Sequence, residues 1–216
     1  MTGFPQHLLE GYRTFTSQRL PTEQSRYREL SERGQSPQVM VIGCCDSRVS
    51  PEVIFDAGPG ELFVMRNIAN LVPVYQPDGG AHGVSAALEY AVTVLRVKHI
   101  VVLGHAQCGG IRAFIDKIEP LSPGDFIGKW MAMFIKPGET VSHRDHESMA
   151  DFTIRIEKAA VFRSLENLLT FPFVRAAVER GDLSLHGAYF GVAEGSLFVL
   201  DPAAKEFHSV RDKVSE

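Results

Sequence analysis

Disulfide frameworks, membrane spans and basic clusters are all missing from this 216-residue chain, and each absence excludes a class of protein. Three cysteines, an odd and low number, argue against a disulfide framework and for a reducing compartment, so we expect a cytoplasmic protein. No run of about 18 apolar residues occurs, and Gln6, Glu10 and Arg13 interrupt the first segment, so we expect neither a membrane span nor a signal peptide. A net charge of −4 without a basic patch argues against nucleic acid as a partner.

What the chain does contain is an ordinary globular composition, with 44% hydrophobic and 22% charged residues. The length suits one α/β domain with a sizeable core, and no repeat, linker or low-complexity tract divides it. We therefore predict a single domain over residues 1–216 that begins with a helical arm at about 1–34. Leu8 and Tyr12 follow helical spacing in this arm, and Gly34 is its expected end.

Short apolar runs alternate with helical periods along the rest of the chain. Helical periods cover 82–96 and 147–180, whereas 119–146 is rich in Pro and Gly and predicts short helices and loops. The alternation predicts a largely parallel sheet with right-handed crossovers, and a tight turn at Glu194-Gly195 makes the last strand antiparallel. The apolar runs that indicate strands are 39–42, 62–65, 99–103, 188–193 and 196–200.

Two cysteines and one histidine stand at the ends of predicted strands. Cys44 follows the first strand, and His105 and Cys108 follow the third. Functional sites in open α/β sheets lie at the carboxyl ends of strands, so we expect these side chains to converge. Two thiolates and one imidazole form a zinc ligand set with one position left open, which is the arrangement of a catalytic site.

Simple burial, a structural metal site and a redox role all compete with a catalytic zinc site at these residues. Burial accounts for one free Cys, which behaves as a small hydrophobe, but it accounts poorly for two Cys and a His at strand ends. A structural Cys₃His site needs Cys45 as its fourth ligand, yet adjacent residues at a strand end point to opposite sides. A redox role for Cys44-Cys45 needs a strained disulfide between neighbours, and no Cys-x-x-Cys occurs.

Asp46 and Arg48 follow closely after the first ligand candidate. An exposed Asp–Arg pair usually contributes little, but beside zinc such a pair has two possible effects. In one, Asp46 fills the open coordination position and blocks the metal. In the other, Arg48 holds Asp46 away from zinc and keeps it ionised, so that Asp46 accepts a hydrogen bond from zinc-bound hydroxide.

The two motifs, Cys-x-Asp-Ser-Arg from Cys44 and His-x-x-Cys from His105, resemble those of the β-class carbonic anhydrases. The resemblance covers roughly residues 30–200 in the family's order. Three further segments are similar to family blocks: 59–70, 89–92 and 164–169.

This resemblance implies the reversible hydration of CO₂ to bicarbonate and a proton by attack of zinc-bound hydroxide. It implies one Zn²⁺ per subunit, held by Cys44, His105 and Cys108, with Asp46 and Arg48 as the catalytic dyad that orients the nucleophile. It also implies a sheet of four parallel strands plus an antiparallel fifth, flanked by helices. A homodimer or higher homo-oligomer is expected, because the family's substrate pocket lies between subunits.

Substrate contacts of the family match five further positions. Gln35 matches a side-chain amide that orients a substrate oxygen, and the Gly109 backbone amide matches another contact. Phe63, Ile68 and Tyr90 match apolar walls of the pocket.

One branch of the family carries a second, inhibitory bicarbonate site. Its three positions correspond here to Val41, Arg66 and Phe190, and two of them depart from the family's Trp and Tyr. We therefore expect the plant-like type, which lacks this site.

Two alternative functions remain open at this point. A relative with the same ligands could hydrolyse carbonyl sulfide or carbon disulfide, because access to the pocket, not the ligand set, decides the substrate. A regulatory relative would hold zinc without activity, but intact Asp46 and Arg48 argue against that. For a carbonic anhydrase, two thiolates cancel the charge of zinc, so we expect hydration to rise with pH through an apparent pKa above about 7.

Overall fold

The computed structural model describes residues 3–117, 119–135 and 141–210. Its α-helices are α1 (Gln6–Thr14), α2 (Leu20–Arg33), α3 (Pro51–Ile54), α4 (Gly83–Glu89), α5 (Gly109–Ile115), α6 (Phe126–Ala132), α7 (Met149–Leu168) and α8 (Pro172–Glu179). Its strands are β1 (Val39–Cys44), β2 (Leu62–Asn67), β3 (His99–His105), β4 (Ser184–Gly191), β5 (Ser196–Asp201) and β6 (Glu206–Ser209). Two π-helical segments, Phe15–Arg19 and Tyr90–Leu95, and a 3₁₀ turn, Ile68–Asn70, also belong to these residues.

The strands form one mixed sheet in the order β2-β1-β3-β4-β5-β6. The first four in this order are parallel, and β5 runs antiparallel to β4. This confirms the predicted four parallel strands and antiparallel fifth, flanked by helices. β6 adds a sixth strand, antiparallel to β5, that was not predicted, because only Phe207 among its four residues is apolar.

Helices cover one face of this sheet and bury it completely at the centre. Met40 and Ile42 of β1 and Ile100 and Val102 of β3 have no exposed surface. The helical residues in the same core come from α4, α7 and α8: Leu88, Val161, Leu168, Val174 and Ala177. Such near-continuous apolar strands are typical of parallel sheets between helices.

α7 crosses the sheet closely at the end that carries His105. Ser148 caps its first turn by accepting a hydrogen bond from the Asp151 N–H at 3.1 Å. A Cβ atom at Gly104 would stand 2.6 Å from Cγ2 of Val161, so only glycine allows this approach. This close packing places Glu157 and Val161 of α7 next to the carboxyl end of β3.

The predicted helix at 147–180 is divided in two, since Pro172 starts α8 and lacks the N–H needed to continue α7. Within the predicted irregular stretch 119–146, α6 forms a short helix, and residues 136–140 lie outside the described residues. Among the residues described, no helix is both long enough and apolar enough to cross a bilayer.

The predicted N-terminal arm is helical and ends at Gly34, whose φ of 79° suits glycine. Neither α1 nor α2 contains a buried residue. α2 contacts the body of the protein, since Arg26 donates to the Pro59 carbonyl at 3.3 Å and Leu30 lies against Gly60. On α1, the large apolar side chains of Leu8 and Tyr12 are exposed.

Candidate active site

The carboxyl ends of β1 and β3 carry the predicted metal ligands. Cys44 is the last residue of β1 and His105 the last of β3, and these strands are neighbours in the sheet. Cys108 lies three residues beyond β3, at the cap of α5. Parallel strands end at the same edge, so two elements that are separate in sequence deliver their ligands to one point.

The three ligand candidates converge with their donor atoms within 4.8 Å of one another. The Sγ atoms of Cys44 and Cys108 are 4.0 Å apart, and all three side chains are buried. His105 donates from Nδ1 to the Ala106 carbonyl at 2.9 Å, which leaves Nε2 as a buried nitrogen without a hydrogen-bond partner. A borderline-soft metal ion such as Zn²⁺ fits this donor set.

Cys45 is exposed and does not join the cluster that the described residues form. The competing Cys₃His site is therefore not assembled, and three protein ligands leave a coordination position open. Asp46 does not join the cluster either, so it does not fill that position.

Proton sharing between the ligands prepares one thiolate. The Cys108 thiol lowers the pKa of Cys44 against the effect of burial, and His105 acts in the same direction. The same contact raises the pKa of Cys108. For His105, burial lowers the pKa, but Cys44, the Ala106 carbonyl and Asp46 together raise it above its ordinary value.

Asp46 and Arg48 form a two-point ion pair beside the ligands. Nε of Arg48 donates to Oδ1 of Asp46 at 2.9 Å and Nη2 donates to Oδ2 at 2.7 Å. The Arg48 backbone N–H adds a third bond to Oδ1 at 3.0 Å. The guanidinium holds the pKa of Asp46 well below its usual range, so this carboxylate is ionised at neutral pH.

Two further residues hold this ion pair and its backbone in place, and the sequence alone did not predict that role for them. Gln107 accepts from Nη2 of Arg48 through its backbone carbonyl at 3.0 Å. Arg66 donates from Nε to the Cys44 carbonyl and from Nη2 to the Asp46 carbonyl, both at 2.7 Å. Arg66 thus holds the backbone of the loop that joins the ligand to the dyad.

Glu157 of α7 is a buried acid that was not identified from the sequence either. Its Oε1 accepts the Cys108 backbone N–H at 2.9 Å, and its Oε2 accepts the Tyr189 hydroxyl at 2.6 Å. Burial raises the pKa of Glu157, although the Tyr189 hydroxyl and the Cys108 amide oppose that shift. The one sequence signal was its helical spacing with the buried Val161 and Ser164, which places an acid on the apolar side of a helix.

The predicted substrate contacts fall into two groups within one chain. Gly109 directly follows Cys108, and Ile68 lies against Gly110, so both border the metal ligands. Gln35 precedes β1, and therefore lies at the end of that strand opposite to Cys44.

Phe63 and Tyr90 belong with Gln35 in this second group. Phe63 pairs with Met40, four residues before Cys44, which is about 13 Å along the strand. Its ring centroid lies 6.0 Å from that of the exposed Tyr90. Within one chain, then, these side chains do not reach the metal ligands, and their substrate role stays a prediction.

A cavity of about 660 Å³ opens on the α7 side of Cys108. Its lining includes Gln107, Arg112, Met149, Ile154 and Glu157. The lining thus combines the apolar side chains of Met149 and Ile154 with polar and charged ones.

The family described as carbonic anhydrase matches residues 39–197. Beta carbonic anhydrase 5, chloroplastic, of Arabidopsis thaliana is 38% identical in an alignment of 174 residues, which covers 78% of this chain and 55% of that protein. A carbonic anhydrase of Pseudomonas aeruginosa is 37% identical over 205 residues, 95% of this chain and 91% of that protein. The chain thus spans about half the length of the plant relative and most of the bacterial one.

Solved structures give the same likeness. The β-carbonic anhydrase CcaA aligns with a TM-score of 0.85 at 28% identity, over 94% of this chain and 91% of that chain. One of two tetrameric β-carbonic anhydrases from Sordaria macrospora aligns with a TM-score of 0.74 at 29% identity, over 90% of this chain and 95% of that chain. The segment matched by the family contains the three candidate metal ligands together with Asp46 and Arg48.

Proposed function

The chain belongs to the β-class carbonic anhydrases, and from this premise we propose that it catalyses the zinc-dependent, reversible hydration of CO₂ to bicarbonate and a proton. One observation carries the proposal. Two thiols and an imidazole converge within 4.8 Å beside a carboxylate held at two points by a guanidinium. A purely structural metal site has no need of that ionised pair.

Cys44, His105 and Cys108 would hold one Zn²⁺ per subunit. Zinc, when bound, lowers the pKa of a coordinated water and so supplies a nucleophile near neutral pH. The protein's own contribution is rigid placement, because β1 and the α5 cap deliver the thiols independently. The Nδ1–H bond of His105 to the Ala106 carbonyl fixes the tautomer that presents Nε2 to the metal.

Asp46 would orient the nucleophile by accepting a hydrogen bond from it. Ionised Asp is an acceptor only. Arg48 donates two hydrogen bonds to Oδ1 but one to Oδ2, so Oδ2 keeps a lone pair for this bond. Pairing with Arg48 also keeps Asp46 away from the position that it would block as a ligand. We therefore assign Asp46 and Arg48 as the catalytic dyad.

Substrate binding would require a second copy of the chain. Gly109 and Ile68 border the ligands of their own subunit, whereas Gln35, Phe63 and Tyr90 lie away from them. A homodimer or higher homo-oligomer would bring one subunit's second group to the partner's metal centre. The tetrameric relatives from Sordaria macrospora support such an assembly.

A panel of three substrates tests the proposed reaction. Zinc-loaded protein is mixed with CO₂, carbonyl sulfide or carbon disulfide, and proton release or hydrogen sulfide production is followed. We expect fast turnover of CO₂. Turnover of a sulfur compound in preference to CO₂ would favour the hydrolase alternative, and no turnover by fully zinc-loaded protein would favour a regulatory protein.

Regulation by a second bicarbonate is not part of this proposal. We infer the plant-like type, because Val41 and Phe190 replace two of the family's three side chains for the inhibitory site, and Arg66 already donates to two backbone carbonyls. Bicarbonate should then inhibit only as the product. Sigmoidal inhibition of CO₂ hydration by bicarbonate below about pH 8 would contradict this.

We further propose that the chain works as one domain in the cytoplasm. The single continuous sheet supports one domain, and three free cysteines suit a reducing compartment. Cell fractionation with an antibody against the native chain checks the location, and recovery in a membrane or secreted fraction would contradict it.

A further inference from the structure

The buried carboxylate of Glu157 has no part in the chemistry described above. Glu157 is only 2% exposed, yet both of its carboxylate oxygens are paired. Burying a carboxylate is costly unless its oxygens accept hydrogen bonds. The two donors that satisfy it are the Cys108 backbone N–H, which belongs to a ligand residue, and the Tyr189 hydroxyl.

The peptide bond between Gln107 and Cys108 is held from both sides. Glu157 accepts its N–H at 2.9 Å, and Nη2 of Arg48 donates to its carbonyl at 3.0 Å. A peptide unit is planar, so contacts at both groups fix its orientation. Gln107 itself has a φ of 57°, a left-handed conformation that surrounding contacts must maintain in a residue other than glycine.

We propose that Glu157 is a positioning residue for the metal centre. By holding the peptide between Gln107 and Cys108, it aims the Cys108 thiol at the metal and places the carbonyl that anchors Arg48. The Tyr189 hydroxyl holds Oε2 of Glu157, and this contact fixes the position of Oε1 opposite the Cys108 N–H. The inference rests on the proposed function, because it concerns a zinc ligand and the dyad beside it.

Two substitutions distinguish the effect of side-chain length at position 157 from the effect of its negative charge. E157D keeps the carboxylate but shortens the side chain by one methylene, so it cannot span from Tyr189 to the Cys108 amide. E157Q keeps the length, because its amide oxygen can accept the Cys108 N–H while its NH₂ group donates to the Tyr189 hydroxyl. L168A, at the far end of α7, is the matched control for loss of core packing, since Leu168 is fully buried and distant from the ligand loop.

The measurement is the zinc dissociation constant of the full-length protein by competition with a chelator. Outer-shell changes typically lower metal affinity about 10- to 100-fold, and we expect such a loss for E157D. For E157Q and L168A we expect values within about threefold of wild type. The absorption of Co²⁺-substituted protein should also change in E157D, because the Cys108 thiolate moves relative to the ion.

Wild-type affinity in folded E157D would overturn the positioning role, and an equal loss in E157Q would overturn it in favour of buried charge. Should E157D fail to fold, Y189F decides, because it frees the second oxygen of Glu157 without shortening the chain. A zinc affinity that falls at least about threefold in Y189F is expected, and an unchanged affinity would refute the proposal. A wild-type chain that binds no zinc at this site would instead contradict the proposed function itself.

Discussion

Arg48 and Asp46 show at the scale of single residues why residue type matters beside a metal. Nε and Nη2 of the guanidinium donate to the two carboxylate oxygens at 2.9 and 2.7 Å, and Nη2 also donates to the Gln107 carbonyl. Lysine is a point charge without this fork. Arg48 therefore fixes the orientation of the Asp46 carboxylate as well as its ionised state.

R48K should keep zinc but lose about 10- to 100-fold in kcat/KM, because a Lys ammonium cannot hold both oxygens of Asp46 in one plane. CO₂ hydration and zinc content of the same preparation provide the measurement. R112K is the matched control, since Arg112 forms an exposed ion pair with Asp116 on α5. Full activity of R48K at normal zinc content would refute the orienting role.

Prediction from sequence was strongest for residues whose position follows from strand ends. The convergence of Cys44, His105 and Cys108 was expected, because all three follow apolar strands of a parallel sheet. Glu157 was not identified, because its bond to Cys108 joins positions 49 residues apart and depends on how α7 packs on the sheet. An acid on a buried helix side was the one sequence signal.

At the scale of elements, α5 starts where the ligand loop meets the strained Ile68–Asn70 turn. Ala69 and Asn70 have positive φ values of 62° and 49°. The turn is held by Trp130, whose indole N–H donates to the Ile68 carbonyl at 2.8 Å. Gly110 packs closely on this turn, and this contact holds the start of α5, which Cys108 caps, against the Ile68–Asn70 turn.

G110A should destabilise the fold by about 1–3 kcal/mol, because overpacking a dense site forces its neighbours to move. The new Cβ would stand 2.5 Å from Cγ2 of Ile68 and 3.2 Å from Cβ of Ala69. G109A is the matched control, since nothing lies within 4 Å of a Cβ there. Thermal unfolding of both variants checks this, and equal melting temperatures would show that the turn yields without cost.

The segment before α7 is held by an ion pair whose strength depends on pH. Arg155 donates from Nε and Nη2 to the two oxygens of Glu147, each at 2.7 Å. This pairing lowers the pKa of Glu147 from 4.5 to about 2. A depressed pKa in the folded state means that the stabilisation is complete above pH 4.5 and is lost as the pH falls towards 2.

E147Q should therefore melt below wild type at neutral pH, and the gap should narrow steadily as the pH falls from 4.5 towards 2. Melting curves at several pH values across this window measure the gap. E179Q, which removes an exposed carboxylate at the end of α8, controls for general charge effects. A difference in melting temperature that stays constant down to about pH 2 would contradict the role of the Arg155–Glu147 ion pair.

Elements with a strong apolar pattern were predicted well, and elements with a weak one were not. β1, β2 and β3 are apolar runs and were found in place. β6 is short and mostly polar, so it depends on pairing with β5 and not on its own sequence. The break between α7 and α8 was missed because the apolar period continues across Phe171, which is fully buried.

At the scale of the whole molecule, the N-terminal arm exposes large apolar side chains in a single chain. Leu8 is 50% and Tyr12 63% exposed, and their spacing places them on one side of α1. Large apolar side chains in such a stripe mark an interaction surface. A second copy of this chain is the occupant that the proposed oligomer supplies.

The double substitution L8S/Y12S should shift the protein towards monomer and lower CO₂ hydration, because the second group of substrate contacts would come from the partner subunit. Zinc content should stay at one ion per chain. Light scattering after size exclusion measures the mass, and E10A, on the opposite side of α1, is the control. An intact oligomer in L8S/Y12S would show that other surfaces hold the subunits together.

Stopped-flow hydration of CO₂ at about pH 8.5, above the expected apparent pKa, tests the central claim most directly. Zinc-loaded wild type is compared with C44S, which loses a ligand, and with C45S, which changes the exposed neighbouring cysteine. The account predicts fast turnover by wild type and C45S, and neither zinc nor turnover in C44S. Fully zinc-loaded wild type without turnover, or C44S with normal zinc and activity, would contradict the account.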